Sequence, residues 1–151
     1  MSIRIAIACD HAGTTLKSHL LTYLTSKNIQ FTDFGVNSLD SVDYPNYAKL
    51  VCESINSGEY NRGILVCGSG IGMSIAANKY PGIRCALIHD AYTAKMSRAH
   101  NNANVIAMGE RVIGAGVAIE SLDLFLNTDF DGNGTNHARR VGLLDSLIPI
   151  S

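Results

Sequence analysis

The stretch GILVCGSGIG, residues 63–72, runs from four apolar or small residues into a cysteine and then into a loop of three glycines. An apolar run of this length reads as a buried strand, Gly63–Val66. The small residues after it open a short helix over 72–79. The same alternation extends in both directions. Residues 3–8, 30–34, 84–88 and 104–108 read as further strands, and 14–26, 47–57, 91–100, 114–126 and 137–148 as helices. In the first helix Leu16, Leu20 and Leu24 recur four apart, and in the second Ala48, Val51, Cys52 and Ile55 share a face. Continuous apolar strands alternating with helices predict an α/β chain, a parallel sheet covered on both faces in a three-layer α/β/α arrangement. No repeat, low-complexity tract or linker interrupts it, so residues 1–151 are expected to form a single domain.

Composition narrows the function. The chain has 151 residues, 46% hydrophobic and 17% charged, with a formal net charge of −1. That balance offers no electrostatic case for nucleic acid or an anionic membrane. No apolar run approaches the ~20 residues of a membrane helix. The opening run 3–8 is too short for a signal segment and is cut by Asp10 and His11, which places the protein in the cytoplasm by expectation. Cys9, Cys52, Cys67 and Cys85 show no C-x-x-C and no zinc-like grouping with histidine. All four read as reduced thiols, and Cys9, Cys52 and Cys85 as small buried hydrophobes.

In an open parallel sheet, ligands bind beyond the carboxyl ends of the strands. Those ends here carry Cys9-Asp10-His11-Ala12-Gly13, the Cys67–Gly72 loop, His89-Asp90 and Gly109-Glu110-Arg111. The glycine loop fits no familiar phosphate motif. No lysine follows Gly72 as a P-loop requires, and Met73 stands where a dinucleotide fingerprint has its third glycine. Cys67 and Ile71 occupy the glycine places of a nucleophile elbow, and Met73 also occupies the arginine place of a cysteine-phosphatase loop. What remains is a nest of backbone N–H groups able to hold a phosphate or a developing oxyanion, or a tight strand-to-helix turn with no ligand at all. A cysteine at a helix N-terminus is placed where the thiolate, the form that serves as base or nucleophile, is favoured. Among the histidines, His11, His100 and His137 sit at element ends beside polar neighbours, whereas His19 and His89 have no evident role. Asp129–Gly134 imitates the start of a calcium loop, but Arg140 holds the place of the closing glutamate. Asn133-Gly134-Thr135 is a glycosylation sequon without consequence in the cytoplasm.

Five ordered blocks carry a resemblance: IAIACDHAG (5–13), DYPNYA (43–48), GILVCGSGIGMSIAANKYPGIRCAL (63–87), SRAHNNANVIAMGERVIG (97–114) and HARRV (137–141). In content, order and spacing the chain resembles the ribose-5-phosphate isomerase B family, which also contains allose- and galactose-6-phosphate isomerases. The resemblance implies a Rossmann-like fold and conversion of an aldose phosphate to a ketose phosphate through a cis-enediolate, without metal or cofactor. It implies Cys67 as the base that moves the proton between C2 and C1, and His100 as the acid that opens the furanose ring. The loop Gly68, Ser69, Gly70, Ile71 and Gly72 becomes the oxyanion nest for the enediolate rather than a phosphate cradle. By the same resemblance Asp10, His11 and Asn101 are expected to hold the substrate, and Arg111 and Arg140 its phosphate. The implied partner is a sugar phosphate, and the implied assembly a homodimer or a dimer of dimers with shared active sites, to which an apolar last helix (Val141, Leu144, Leu147, Ile148) contributes. Two positions depart from the family pattern. Ser69 stands where many members have threonine, and keeps the hydroxyl that proton handling needs. Asn136 stands where many carry arginine, a loss of about 1.5–3 kcal/mol in phosphate binding unless Arg139 substitutes. Three other readings stay open: a hexose-6-phosphate isomerase, a non-catalytic sugar-phosphate- or nucleotide-binding module, and a silent subunit of a hetero-oligomer.

Overall fold

The apolar runs form five strands, β1 (Arg4–Cys9), β2 (Gln30–Asp33), β3 (Arg62–Cys67), β4 (Cys85–Leu87) and β5 (Val105–Gly109). Between and after them lie α1 (Thr14–Ser26), α2 (Tyr44–Asn56), α3 (Ile71–Ala77), α4 (Ala91–Ala99), α5 (Ala115–Asn127) and α6 (Asn136–Leu147). The computed structural model describes residues 2–149, so residues 1, 150 and 151 of the expected domain lie outside the described residues. Every element predicted from the sequence is present. The largest boundary difference is at α2, which begins at Tyr44 rather than Tyr47. Pro45 falls in its first turn, where a missing N–H costs nothing and a fixed φ already suits the helix.

The strands form one all-parallel sheet in the order β2-β1-β3-β5-β4. Side-chain alternation divides its core in two. Ile5, Ile7, Cys9, Ile64, Val66, Ile106 and Met108 point to the face covered by α1, α4 and α5, where Leu16, Leu20, Leu24, Leu122 and Phe125 meet them. Ala6, Ala8, Leu65, Cys67, Val105 and Ala107 point to the other face, under α2 and α3, and meet Ala48, Val51, Met73 and Ala77. One layer is therefore built from large branched side chains and the other largely from alanine. The α/β reading, a three-layer Rossmann-like fold, holds. Among the described residues no helix is long and apolar enough to cross a membrane.

One buried charge ties the β2 edge to the core. Lys17, on the inner side of α1 and 2% exposed, donates through Nζ to Asp33 Oδ1 (2.8 Å), the Val36 carbonyl (2.8 Å) and Asn37 Oδ1 (3.0 Å). Replacing it with methionine keeps the volume but leaves the Asp33 carboxylate and a backbone carbonyl without their partner. Lys17→Met is expected to lower stability by about 3 kcal/mol, read from the midpoint of urea unfolding.

Candidate active site

The strand order switches sides at the β1–β3 pair: β2 lies outside β1, while β5 and β4 follow β3 on the other side. Parallel sheets open a crevice at the carboxyl ends of such a pair. A cleft of about 320 Å³ lies there, lined by Asp10, His11, Tyr44, Cys67, Ser69 and Arg111, with Gly68 and Gly72 in its wall.

Most of these groups sit at the end of a strand, and Tyr44 comes from the start of α2. At the exit of β1 the Asp10 amide bonds the Val66 carbonyl (3.1 Å), and its carboxylate accepts the Ala12 N–H (2.9 Å). His11 Nδ1 accepts the Val42 N–H (3.2 Å), which leaves Nε2 for a ligand. Cys67 ends β3 and is 5% exposed. The Gly70 N–H donates to its Sγ at 3.1 Å, a donor placed where the charge of a thiolate would sit. Gly70 can turn back in this way because it adopts φ 78°, a region open to glycine at little cost. The next amide, Ile71 N–H, donates to Ser69 Oγ (3.2 Å). Two N–H groups of the expected nest are thus committed inside the loop, and the Ile71 side chain points to solvent, 53% exposed. Burial pushes the Cys9 thiol up to about 11 and that of Cys52 up to about 12, and it raises that of Cys85 as well. All four cysteines are free; Cys9 and Cys52 are buried as the sequence suggested, whereas Cys85, at the β4 edge of the sheet, is only half-buried.

Arg111 enters from β5. Glu110 and Arg111 donate their amides to the Cys67 (2.9 Å) and Gly68 (3.0 Å) carbonyls, so the two loops are zipped together. The guanidinium lies over Gly68 so closely that a Cβ there would come within 2.8 Å of Nη1. A larger residue at 68 would displace the guanidinium from this position. The Glu110 carboxylate reaches across to accept the Leu16 N–H (2.7 Å) at the uncapped start of α1.

His89, which the sequence left without a role, accepts the Gly109 N–H at Nε2 (3.0 Å) and so anchors this junction. Burial lowers its pKa below the usual 6.5, with Asp90 opposing. The unfolded chain therefore takes up this proton first as pH falls. The contribution is intact above pH 6.5 and is lost progressively on acidification below it. In His89→Gln, which keeps an acceptor but cannot titrate, unfolding free energy is expected to fall less steeply between about pH 6.5 and 5.

The structure does not bring His100, Asn101 and Arg140 to this cleft. Helix α4 starts at the carboxyl edge of the sheet and returns to the amino edge, where His100 is its C-cap. Cys67 pairs with Gly109 at the far end of β5, whose length puts about 13 Å between the two levels. Arg98 Nη1 fixes the turn after α4 through Asn102 Oδ1 (2.8 Å) and the Ala103 carbonyl (2.7 Å). The His100 ring stacks on His137 with centroids 4.0 Å apart, and its Nε2 lies 3.9 Å from Asp131. Asn101 faces a second, larger cavity of about 400 Å³ between the β4 edge and α6, with Arg84, Ala103, Leu144 and Leu147. Asn136, Arg139 and Arg140 are exposed on the first turns of α6. Within one chain the expected base and acid therefore belong to separate clusters. Val141 is also corrected: it packs inward at 7% exposure, while Leu144, Leu147 and Ile148, joined by Leu143, stay exposed.

Tyr44 is the cleft residue that sequence reasoning missed. Its ring lies against Gly72, and the available signal was Pro45, which marks a helix start one residue earlier.

The profile of the ribose/galactose isomerase family matches residues 5–144. The chain is 48% identical over 141 residues to a putative sugar phosphate isomerase, YwlF, of Bacillus subtilis, covering 93% of each chain. It is 46% identical over 145 residues to ribose-5-P isomerase B of Listeria innocua, covering 96% of this chain and 97% of the relative. Its fold is similar to the crystal structure of a ribose 5-phosphate isomerase from Thermotoga maritima, with TM-score 0.92, 49% identity, and coverage of 97% and 99%.

Proposed function

Because the chain belongs to the ribose/galactose isomerase family, we propose that it interconverts ribose 5-phosphate and ribulose 5-phosphate as a homodimer in the cytoplasm. The chain is an aldose–ketose isomerase, and the observation that supports this substrate class is the cleft itself. A cysteine carrying an N–H donor at sulfur shares one crevice with an arginine, a histidine and a carboxylate.

In the proposed reaction the Cys67 thiolate removes the C2 proton of the open-chain aldose. The electron pair moves into a C1–C2 double bond, and negative charge develops on O1. The thiol returns the proton to C1 as the O2 proton is lost, with Ser69 Oγ assisting transfer between the oxygens. Loop N–H groups of Gly68–Gly72 that remain uncommitted stabilise the enediolate, where preorganised donors act most strongly. Asp10 and His11 hold hydroxyls. Arg111 takes the phosphate in the bidentate geometry guanidinium favours.

The acid and the remaining phosphate contacts come from a second copy in this reading. His100 of the partner subunit opens the furanose ring, Asn101 of the partner subunit holds the sugar, and the partner's Arg140 completes the phosphate site. The partner's Arg139 takes the place of the arginine missing at 136. What supports this is the separation of Cys67 and His100 to opposite edges of the sheet, together with exposed Leu143, Leu144 and Leu147 on α6.

A coupled assay in the presence of EDTA tests the substrate, with ribose 5-phosphate, allose 6-phosphate and galactose 6-phosphate offered in parallel. Turnover with the highest kcat/KM on the pentose is expected. Preference for a hexose would replace the substrate and keep the chemistry. Binding without conversion of any would leave a sugar-phosphate-binding module.

A further inference from the structure

The cluster at the amino edge of the sheet has a donor set that acid catalysis does not require. His100, Asp131 and His137 each offer one ligand atom, and these atoms lie within 4.8 Å of one another. They come from three segments that are separately pinned. His100 caps α4; the Asp131 amide bonds the Ala99 carbonyl (2.9 Å) and so holds its loop against that helix end. His137 rides on the first turn of α6, which the Thr135 hydroxyl caps by accepting the Ala138 N–H (3.2 Å). The same hydroxyl donates to the Gly132 carbonyl (2.7 Å) and closes the loop that carries Asp131. The backbone is therefore set before any ligand arrives.

The side chains themselves are uncommitted. Among the described residues none of the three side chains makes a hydrogen bond within 3.5 Å, and the His100–Asp131 approach of 3.9 Å is longer than one. The two rings lie face to face, 9° from parallel, so their nitrogens are neighbours. Two imidazoles and one carboxylate suit zinc, nickel, cobalt or copper and disfavour magnesium and calcium. A tetrahedral ion draws donors to about 3.3 Å of each other, a rotation of partly exposed rings rather than a refolding. Three protein ligands leave a position open for water or a substrate oxygen.

We propose that His100, Asp131 and His137 form a binding site for a divalent transition-metal ion, and that occupancy inhibits the isomerase by removing His100 from proton transfer. The first half stands on the cluster alone; the second rests on the role given to His100 above. Binding needs both imidazoles neutral, so the ion takes up lone pairs through which a proton would otherwise pass.

Calorimetric titration of the intact, EDTA-treated protein with ZnCl2 is expected to show one ion per chain. Asp131→Asn and His137→Gln should each weaken it at least roughly tenfold. Co2+ in place of zinc should give visible bands of nitrogen and oxygen ligation without a thiolate-to-metal charge-transfer band. Zinc should slow turnover of ribose 5-phosphate, EDTA should restore it, and Asp131→Asn should stay active while resisting zinc. Unchanged affinity in both variants, or a charge-transfer band lost in Cys67→Ser, would overturn the site. Zinc bound at the three residues with full activity would overturn the inhibition. Zinc bound there by a chain that converts no ribose 5-phosphate would support the site and sink the isomerase assignment instead.

Discussion

Cys67→Ser is expected to lower kcat on ribose 5-phosphate by roughly 10²–10⁴-fold, with little change in KM. Serine fits the same 5% exposed position and still accepts the Gly70 N–H, so the loop keeps its shape. What changes is the acid–base partner. A hydroxyl is far harder to ionise than a thiol, and the proton alpha to a carbonyl needs a real base. KM is expected to be spared because, in the proposed reaction, Arg111, Asp10 and His11 hold the substrate from other strand ends. Steady-state kinetics beside a thermal melt decide the matter, because an unchanged melting temperature separates lost chemistry from lost fold. Activity within tenfold of the parent chain would move the base elsewhere, and washout of label from C2-deuterated substrate would then be the way to find it.

His100→Asn is expected to be similarly impaired when supplied with the closed furanose, by about 10²-fold. Mixing decides more than either variant alone. If each site joins Cys67 of one chain to His100 of the other, a dimer of one Cys67→Ser chain and one His100→Asn chain holds one intact site and one doubly altered site. After random reassortment of equal amounts, about one quarter of all sites should be intact. Were both residues drawn from the same chain, every site in the mixture would carry one defect and no activity would return. The experiment is unfolding and refolding the two inactive proteins together, with each refolded alone as control.

The fold was legible because its signals are local. Apolar runs at 3–8, 63–66 and 104–108 have the length of buried strands and alternate with helical patterns, and the four-residue spacing of Leu16, Leu20 and Leu24 suits a helix. Half of the candidate site was legible for a related reason. Asp10, Cys67 and Arg111 leave the ends of adjacent strands, and a parallel sheet gathers such ends wherever they lie in the chain. His100, Asn101 and Arg140 follow another logic. Their placement depends on the direction in which α4 runs back across the sheet, and position in sequence does not distinguish the two edges. His89 was passed over because its partner is a backbone amide twenty residues away, which leaves no mark on side-chain pattern. Tyr44 was missed by a boundary: three residues of α2 were read as loop.

The unequal layers of the core have a consequence for how this protein can change. Beneath α1 and α5, Ile5, Ile7 and Ile106 offer methyl groups that can be trimmed or exchanged, and Cys67 does not point that way. Beneath α2 and α3, Ala6, Ala8 and Ala107 leave no such margin, and the helices resting on them carry Tyr44 and continue the Cys67 loop. Adaptation to heat or cold can therefore proceed on one side of the sheet while turnover stays fixed on the other. A lineage of such chains should show its aliphatic drift under α1 and α5 and its constancy under α2 and α3.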